Sequence, residues 1–422
     1  MENMLKNAVV GQSGGPTAAI NATLAGVILG AAKAHKAGKI GTLYGMKNGI
    51  DGLQNGRLVD LASFFEDQAK IDLLSSTPAA ALGSCRKKLP KVEEGGEIYD
   101  RVLNVLKENN IGYFFYIGGN DSMDTVAKMN AYAEKVGYDL TVIGVPKTID
   151  NDLVGTDHTP GFGSAAKYIA TTVQEIICDC AVYTVPAVTI VEIMGRDAGW
   201  LTAASGIGRI VTGRAPDYIY LPERNFSMED FMCDVRSALE KHPNVVIAVS
   251  EGVRFADGRY VGEGTQSGVA DAFGHKYLAG TGKALELAVK AEIGCKVRSI
   301  ELNLPQRCAA HLASAADIEE SLLVGETAFD RALEGLSGHM MAFERAEGAE
   351  YSVRVVSNAV ADVANKIRYV PDTFICKDGN NVTDECLAYL LPLIRGERKV
   401  EYKDGLPVHC VIDCVYNQKE RL

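Results

Sequence analysis

The chain is 422 residues long and 47% hydrophobic, enough to bury a large core, and at roughly 100–200 residues per domain it should form two or three domains. Lys and Arg number 43 against 54 Asp and Glu, a net charge of −11; no dense basic block is present, which excludes a nucleic-acid footprint. No run reaches the roughly 18 apolar residues of a membrane span and residues 1–6 hold no apolar leader core, so a soluble, cytoplasmic protein with no membrane partner is expected.

Short β-rich runs alternate with longer helical patterns. Residues 8–10 read as a strand entering Gly11-Gln12-Ser13-Gly14-Gly15-Pro16 and then an Ala-rich helix to about residue 36, the order of a nucleotide or phosphate site. Residues 113–117 repeat this through Gly118-Gly119-Asn120-Asp121-Ser122 into a helix over 123–135, and residues 141–145 do so a third time. Further strands are expected at 188–193, 218–221, 245–249 and 297–302, between helices at 161–178, 198–208, 227–241 and 282–292. This alternation predicts α/β domains whose parallel sheets are covered on both faces. Past residue 313 come a long helix over 315–333 and an antiparallel hairpin, 340–345 with 351–356, turning at Glu347-Gly348. The cysteines sit in apolar contexts; Cys178-x-Cys180 and Cys410-x3-Cys414 do not match the paired CxxC spacing of structural zinc, so free thiols are expected.

The third strand runs into Val145-Pro146-Lys147-Thr148-Ile149-Asp150-Asn151-Asp152. One cation and two carboxylates thus stand at a strand end, where α/β proteins place substrate-facing loops. The glycine loops suit phosphate, because glycine lets the backbone approach closely and the N–H groups opening the next helix present donors to an anion. Asn120 and Asp121 add oxygen ligands suited to Mg²⁺, which keeps several waters while bridging phosphates. The competing use of either residue is to cap the helix that follows.

These motifs are joined by Gly155-Thr156-Asp157-His158-Thr159-Pro160-Gly161-Phe162, Met194-Gly195-Arg196-Asp197-Ala198-Gly199, Ser250-Glu251-Gly252, and Arg298 followed, after Gln306, by Arg307. Their order and spacing resemble the phosphofructokinase family from Gly11 to about Arg307. The resemblance implies two three-layer α/β/α, Rossmann-like domains with extra C-terminal helix and hairpin elements. Residues 1–155 would bind the donor and Mg²⁺, rejoined by about 305–340; 156–304 would bind the sugar phosphate; 341–422 would pack on both. It further implies reversible phosphoryl transfer to the 1-hydroxyl of D-fructose 6-phosphate, a step of glycolysis and gluconeogenesis, in a homodimer or homotetramer.

Within that resemblance Asp150 matches the general base that takes the hydroxyl proton, and Asp152 a neighbouring acid near the metal. Thr148 matches a contact to the transferring phosphoryl group, and Gly11 opens the first substrate loop. Met194, Gly195 and Arg196 match the sugar-binding turn, Arg196 also stabilising transition-state charge. Glu251 matches an acid that binds sugar hydroxyls, Arg298 and Arg307 hold the 6-phosphate by forked hydrogen bonds, and Arg86 lies between the two phosphate sites. Members that use ATP carry glycine where this chain has Asp121 and Lys147, whereas pyrophosphate-dependent members resemble it at both. A carboxylate at 121 would repel the α-phosphate of ATP by several kcal/mol, while Lys147 neutralises charge on pyrophosphate. Three positions depart from the family pattern. Asn120 replaces the usual metal-site aspartate, leaving Mg²⁺ to Asn120, to water, or to Asp121 and Asp152; Ala187 replaces an arginine that reaches a neighbouring subunit's sugar phosphate; and Leu304 replaces a histidine.

Overall fold

A computed structural model describes residues 5–263, 280–348 and 350–412; Cys414 and the end of the chain lie outside these. Among the described residues the strands form a seven-stranded sheet, a four-stranded sheet and a small two-stranded ladder. The first sheet contains β1 (Asn7–Gln12), β2 (Leu43–Met46), β3 (Leu58–Asp60), β4 (Ile111–Gly118) and β5 (Thr141–Pro146). The second is built from β6 (Ala187–Ile193), β7 (Tyr218–Tyr220), β8 (Asn244–Ser250) and β9 (Lys296–Glu301). The late hairpin, β10 (His339–Arg345) and β11 (Val353–Ala359), returns to the first sheet, with β10 parallel to β5. The resulting orders are β11-β10-β5-β4-β1-β2-β3 and β7-β8-β6-β9.

The inner strands of each sheet are buried on both faces, which is why β4, β5, β6 and β8 read as nearly continuous apolar runs rather than alternating ones. One face of the first sheet packs Val10, Phe115 and Ile143 against Ile20–Lys36 and Ala315–Leu333; the other packs Phe114, Tyr116 and Val142 against Gly96–Glu108 and Asn120–Val136. The second sheet is covered likewise by Phe162–Cys180 on one side and by Met228–Lys241 and Thr281–Glu292 on the other. The expected pair of α/β/α sandwiches is therefore present. The Ile20–Lys36 and Ala315–Leu333 helices meet backbone to backbone, because a Cβ on Gly26 would lie 2.1 Å from the Leu322 carbonyl oxygen and one on Gly325 2.2 Å from that of Thr23. Only glycine permits that approach.

Two expectations at element ends change. The helix after β4 begins at Asn120, with Gly119 at the N-cap and no side-chain cap, so neither Asn120 nor Asp121 caps it. The expected 198–208 helix is split into Trp200–Ala204 and Gly208–Val211. Ser227 and Ser314 do cap their helices, accepting from Asp230 N–H and Asp317 N–H.

The segment after Asp152 is pinned through a buried charge cluster. The ring of His158, 1% exposed, bonds Asp157 at 2.9 Å and Glu320 at 2.7 Å and stacks on Phe343. Arg345 from β10 also reaches Asp157 at 2.9 Å, and Tyr351 reaches Glu320 at 2.8 Å. Burial alone would lower the His158 pKa, but the hydrogen bonds and charges of Asp157 and Glu320 outweigh it and raise the pKa to about 9. A folded pKa above the unfolded value of about 6.5 stabilises the native state at low pH, and that contribution is lost as pH rises from about 6.5 to 9. The stability advantage of wild type over His158→Gln, followed by thermal melts, should therefore be on the order of 3 kcal/mol at pH 6 and shrink towards pH 9; a pH-independent difference would show that His158 is neutral.

Candidate active site

The active-site candidate is a cavity of about 460 Å³ in the cleft between the two sheets. Its floor is the end of β5. Lys147 N–H donates to the Gly118 carbonyl at 3.0 Å, joining the loops after β4 and β5, and the Lys147 side chain, 3% exposed, donates to the Gly15 carbonyl at 2.7 Å. Gly14, at φ +79°, leaves room for that ammonium: a Cβ there would stand 3.3 Å from Nζ. A Cβ on Gly15 would lie 3.3 Å from an Arg307 nitrogen and 3.9 Å from one of Arg86. The glycine loop, Lys147 and two arginines thus converge, giving a pocket for anionic phosphate in a protein of net charge −11.

The carboxylates face this positive cluster. Asp150 N–H bonds the Thr148 hydroxyl at 3.1 Å, folding the loop so that Thr148, Asp150 and Asp152 all line the cavity. Between them Asn151 takes φ +54°, the left-handed conformation that asparagine tolerates. Burial raises the Asp150 pKa against the pull of Lys147 and Arg196. Burial, then the charge of Asp150, raises Asp152 to about 7. Glu251 is pushed up to about 8 by burial and then by Asp150. Lys147 falls to about 8 because burial, Arg307 and Arg86 outweigh Asp150 and Asp152.

The second lobe supplies the opposite wall. Met194 N–H donates to Gln306 Oε1 at 3.2 Å, Gly195 N–H to Glu251 Oε1 at 3.4 Å, and the Ser250 hydroxyl to the Gly195 carbonyl at 2.5 Å. Gly195 has φ +138°, and a Cβ there would meet the Ala198 carbonyl oxygen at 2.6 Å, so the turn requires glycine.

The cavity brings together Arg86, Asn120, Asp121, Lys147, Thr148, Asp150, Asp152, Met194, Arg196, Glu251 and Arg307. Gly195 shapes the turn without lining the space. Gly11 packs within β1, its absent Cβ leaving space for Met46 and Tyr116, and the glycines of that loop that line the cavity are Gly14 and Gly15. Arg298 is also elsewhere: it pairs in register with Thr189, several residues below the cleft end of β6, and lines a separate recess with Ala187, Tyr183 and Lys296. Within one chain it does not reach the cavity. The structure adds Lys88, Asp197, Asn365 and Ile367. Asp197 stands inside a motif already noted, and Lys88 two residues beyond Arg86; for Asn365 and Ile367 the sequence carries no signal.

Among the described residues no group of three His, Cys, Asp or Glu forms a metal cage. The donors present suit a hydrated ion held partly by substrate phosphates. Asn120 donates its Nδ2 to the Lys366 carbonyl at 2.9 Å, while its Oδ1 is buried with no hydrogen-bond partner. Asp152 and Asp121 line the same cavity, the latter ion-paired to Lys88 at 2.9 Å.

Glycine loops and cations beside buried carboxylates, set between two α/β lobes, define an enzyme of phosphorylated substrates. The chain belongs to the phosphofructokinase family, whose profile matches residues 7–330. It is 42% identical to the pyrophosphate–fructose 6-phosphate 1-phosphotransferase of Halomonas elongata, over 95% of this chain and 94% of that one, and 43% identical to the Xanthomonas campestris protein of the same name over the same shares. The crystal structure of the pyrophosphate-dependent phosphofructokinase from Nitrosospira multiformis superposes with a TM-score of 0.85 at 40% identity, covering 96% of this chain and 95% of that one.

A lysine with a pKa near 8 loses its charge at mildly alkaline pH. The kcat/KM for a phosphate-bearing donor should fall with one proton above about pH 8, and the fall should be absent to about pH 9.5 in Lys147→Arg. An unchanged alkaline limb in that variant would assign it to another group.

Proposed function

We propose that this protein transfers a phosphoryl group from pyrophosphate to the 1-hydroxyl of D-fructose 6-phosphate, giving fructose 1,6-bisphosphate and phosphate, reversibly and with Mg²⁺. The observation that carries this reading is the presence of Asp121 and Lys147 in one cavity with Asp150, the pair at which pyrophosphate-dependent members differ from ATP-dependent ones. Gly14, Gly15, Lys147 and Arg86 would bind the donor, on a lobe of residues 1–155 rejoined by about 305–340. The turn at Met194–Arg196 and Glu251, from the lobe of 156–304, would hold the sugar phosphate together with Arg307. Arg298 fits a 6-phosphate role only at a site in a second copy of the chain, which agrees with a homo-oligomer.

Asp150 acts as the base. It accepts the 1-hydroxyl proton as that oxygen attacks phosphorus, and Lys147 and Arg196 stabilise charge on the transferring group and on the departing phosphate. Thr148 orients the phosphoryl oxygens. Asn120, Asp121 and Asp152 are the residues placed to hold Mg²⁺, which when bound neutralises phosphate charge. In the reverse direction Asp150 returns its proton to the sugar oxygen.

The direct test is to supply purified protein with fructose 6-phosphate and either donor. Pyrophosphate should support turnover that Asp150→Ser lowers by about 10²–10⁴-fold with sugar binding kept; ATP activity without pyrophosphate activity would select the ATP-dependent alternative. The donor choice itself is tested by Asp121→Gly/Lys147→Gly, expected to gain ATP turnover and to lose at least about tenfold in kcat/KM for pyrophosphate. No gain with ATP would place the exclusion elsewhere in the cavity.

A further inference from the structure

The family match ends at residue 330, yet the chain beyond it enters the cleft. After a short helix at Val360–Val363, residues 364–370 run as a strap over the loop that carries Asp150 and Asp152, and Asn365 and Ile367 line the cavity. The strap bonds the first lobe twice. Arg368 N–H donates to the Asp152 carbonyl at 2.8 Å, and the Lys366 carbonyl accepts from Asn120 at 2.9 Å. It also bonds the second lobe: the Arg368 carbonyl accepts from Trp200 Nε1 at 3.1 Å, and Val370 N–H donates to Glu223 at 2.9 Å, the carboxylate oxygen that also accepts from Gly199 N–H.

Arg368 is the fastening point. Its guanidinium lies 4.3 Å from the centroid of a Trp200 ring, donates to the Tyr389 hydroxyl at 3.1 Å and reaches towards the Asn151 carbonyl at 3.5 Å. Tyr389 in turn donates to the Asp157 carbonyl at 2.5 Å. Every group holding Arg368 therefore touches either the 150–157 loop or the helix opening at Trp200, beside the turn that carries Arg196. Asn151, left-handed at φ +54°, thus has its carbonyl directed at the Arg368 guanidinium.

We propose that Arg368 is a positioning residue of the phosphoryl-transfer reaction: through the 364–370 strap it fixes the Asp150–Asp152 loop of one lobe against Trp200 of the other. The role rests on the function proposed above and is separable from it, since wild-type turnover with pyrophosphate tests that function and the variants test the strap. Misplacing a base by about 1 Å costs on the order of 10²-fold in rate, whereas substrate contacts made elsewhere persist. Arg368→Ala should lower kcat by about 10- to 100-fold while the Kd for fructose 6-phosphate, measured by calorimetry, changes less than about threefold. Arg368→Lys should recover only part of kcat, a lysine lacking both the flat face and the second donor. Trp200→Phe removes the indole donor but keeps an aromatic face for the guanidinium; it should lower kcat less, and the double variant should lose less than the product of the two single losses. Unchanged kcat in Arg368→Ala overturns the proposal. So does a loss shared equally by kcat, sugar affinity and melting temperature, or a double variant whose losses multiply.

Discussion

The site depends on taking Lys147, Asp150 and Asp152 out of water together. Any one of these charges alone in the cleft would change its protonation state rather than remain charged. Set side by side at the end of β5, they partly offset one another. The remaining imbalance shows in Asp152 and Glu251, raised to about 7 and 8, and in Lys147, lowered to about 8. A phosphate-bearing anion beside Lys147, Arg86 and Arg307 would favour the charged form of that lysine. Binding and the protonation state needed for reaction are thereby coupled.

The architecture supplies the closeness this requires. Parallel strands place the ends of β1, β4 and β5 side by side, so the glycine loop, the Gly119 turn and the Lys147 loop meet at one edge. The second sheet brings the end of β6 to face them. Two lobes could drift apart, and three ties oppose this: the His158 cluster, the strap at 364–370, and Asp317, whose carboxylate accepts from Gly161 N–H at 2.8 Å and Ser164 N–H at 2.9 Å. All three use residues from the last third of the chain. The C-terminal part is consequently no mere appendage, for β10 extends the catalytic sheet beside β5 itself.

What was legible in the sequence follows from what kind of interaction sets each feature. Strands buried on both faces, such as β4 and β5, announce themselves as apolar runs, and the 315–333 helix by its spacing and its serine cap. β2 and β3, strands of four and three residues, carry little pattern; the Gly96–Glu108 helix opens on glycines without a side-chain cap, and its one signal is the helical spacing of Tyr99, Val102, Leu103 and Leu106. Most of the residues the motifs single out line one cavity, because motif order survives in the linear chain. Gly11 and Arg298 lie outside the cavity within one chain for a shared reason: a motif match gives neighbourhood, not the direction in which a strand residue faces or how far down its ladder it lies. The strap was illegible, since its backbone hydrogen bonds leave no trace in residue type.

The Lys88–Asp121 ion pair alters the argument about the donor. An unpaired carboxylate at 121 would repel a nucleotide's α-phosphate strongly, but Lys88 lies 2.9 Å away and roughly half exposed, so part of that charge is neutralised and screened by solvent. Electrostatic repulsion alone is then a weaker barrier than a bare aspartate would provide. The pair also fills space, bridging the helix that starts at Asn120 and the segment after Arg86. A nucleotide whose α-phosphate came to residue 121 would have to displace this bridge, which a compact donor held at Gly14, Gly15 and Lys147 need not do. On that placement, exclusion of the larger donor would combine charge with occupancy. Removing the carboxylate acts on both at once, because it takes away the Asp121 partner of Lys88 as well as the volume that Asp121 fills.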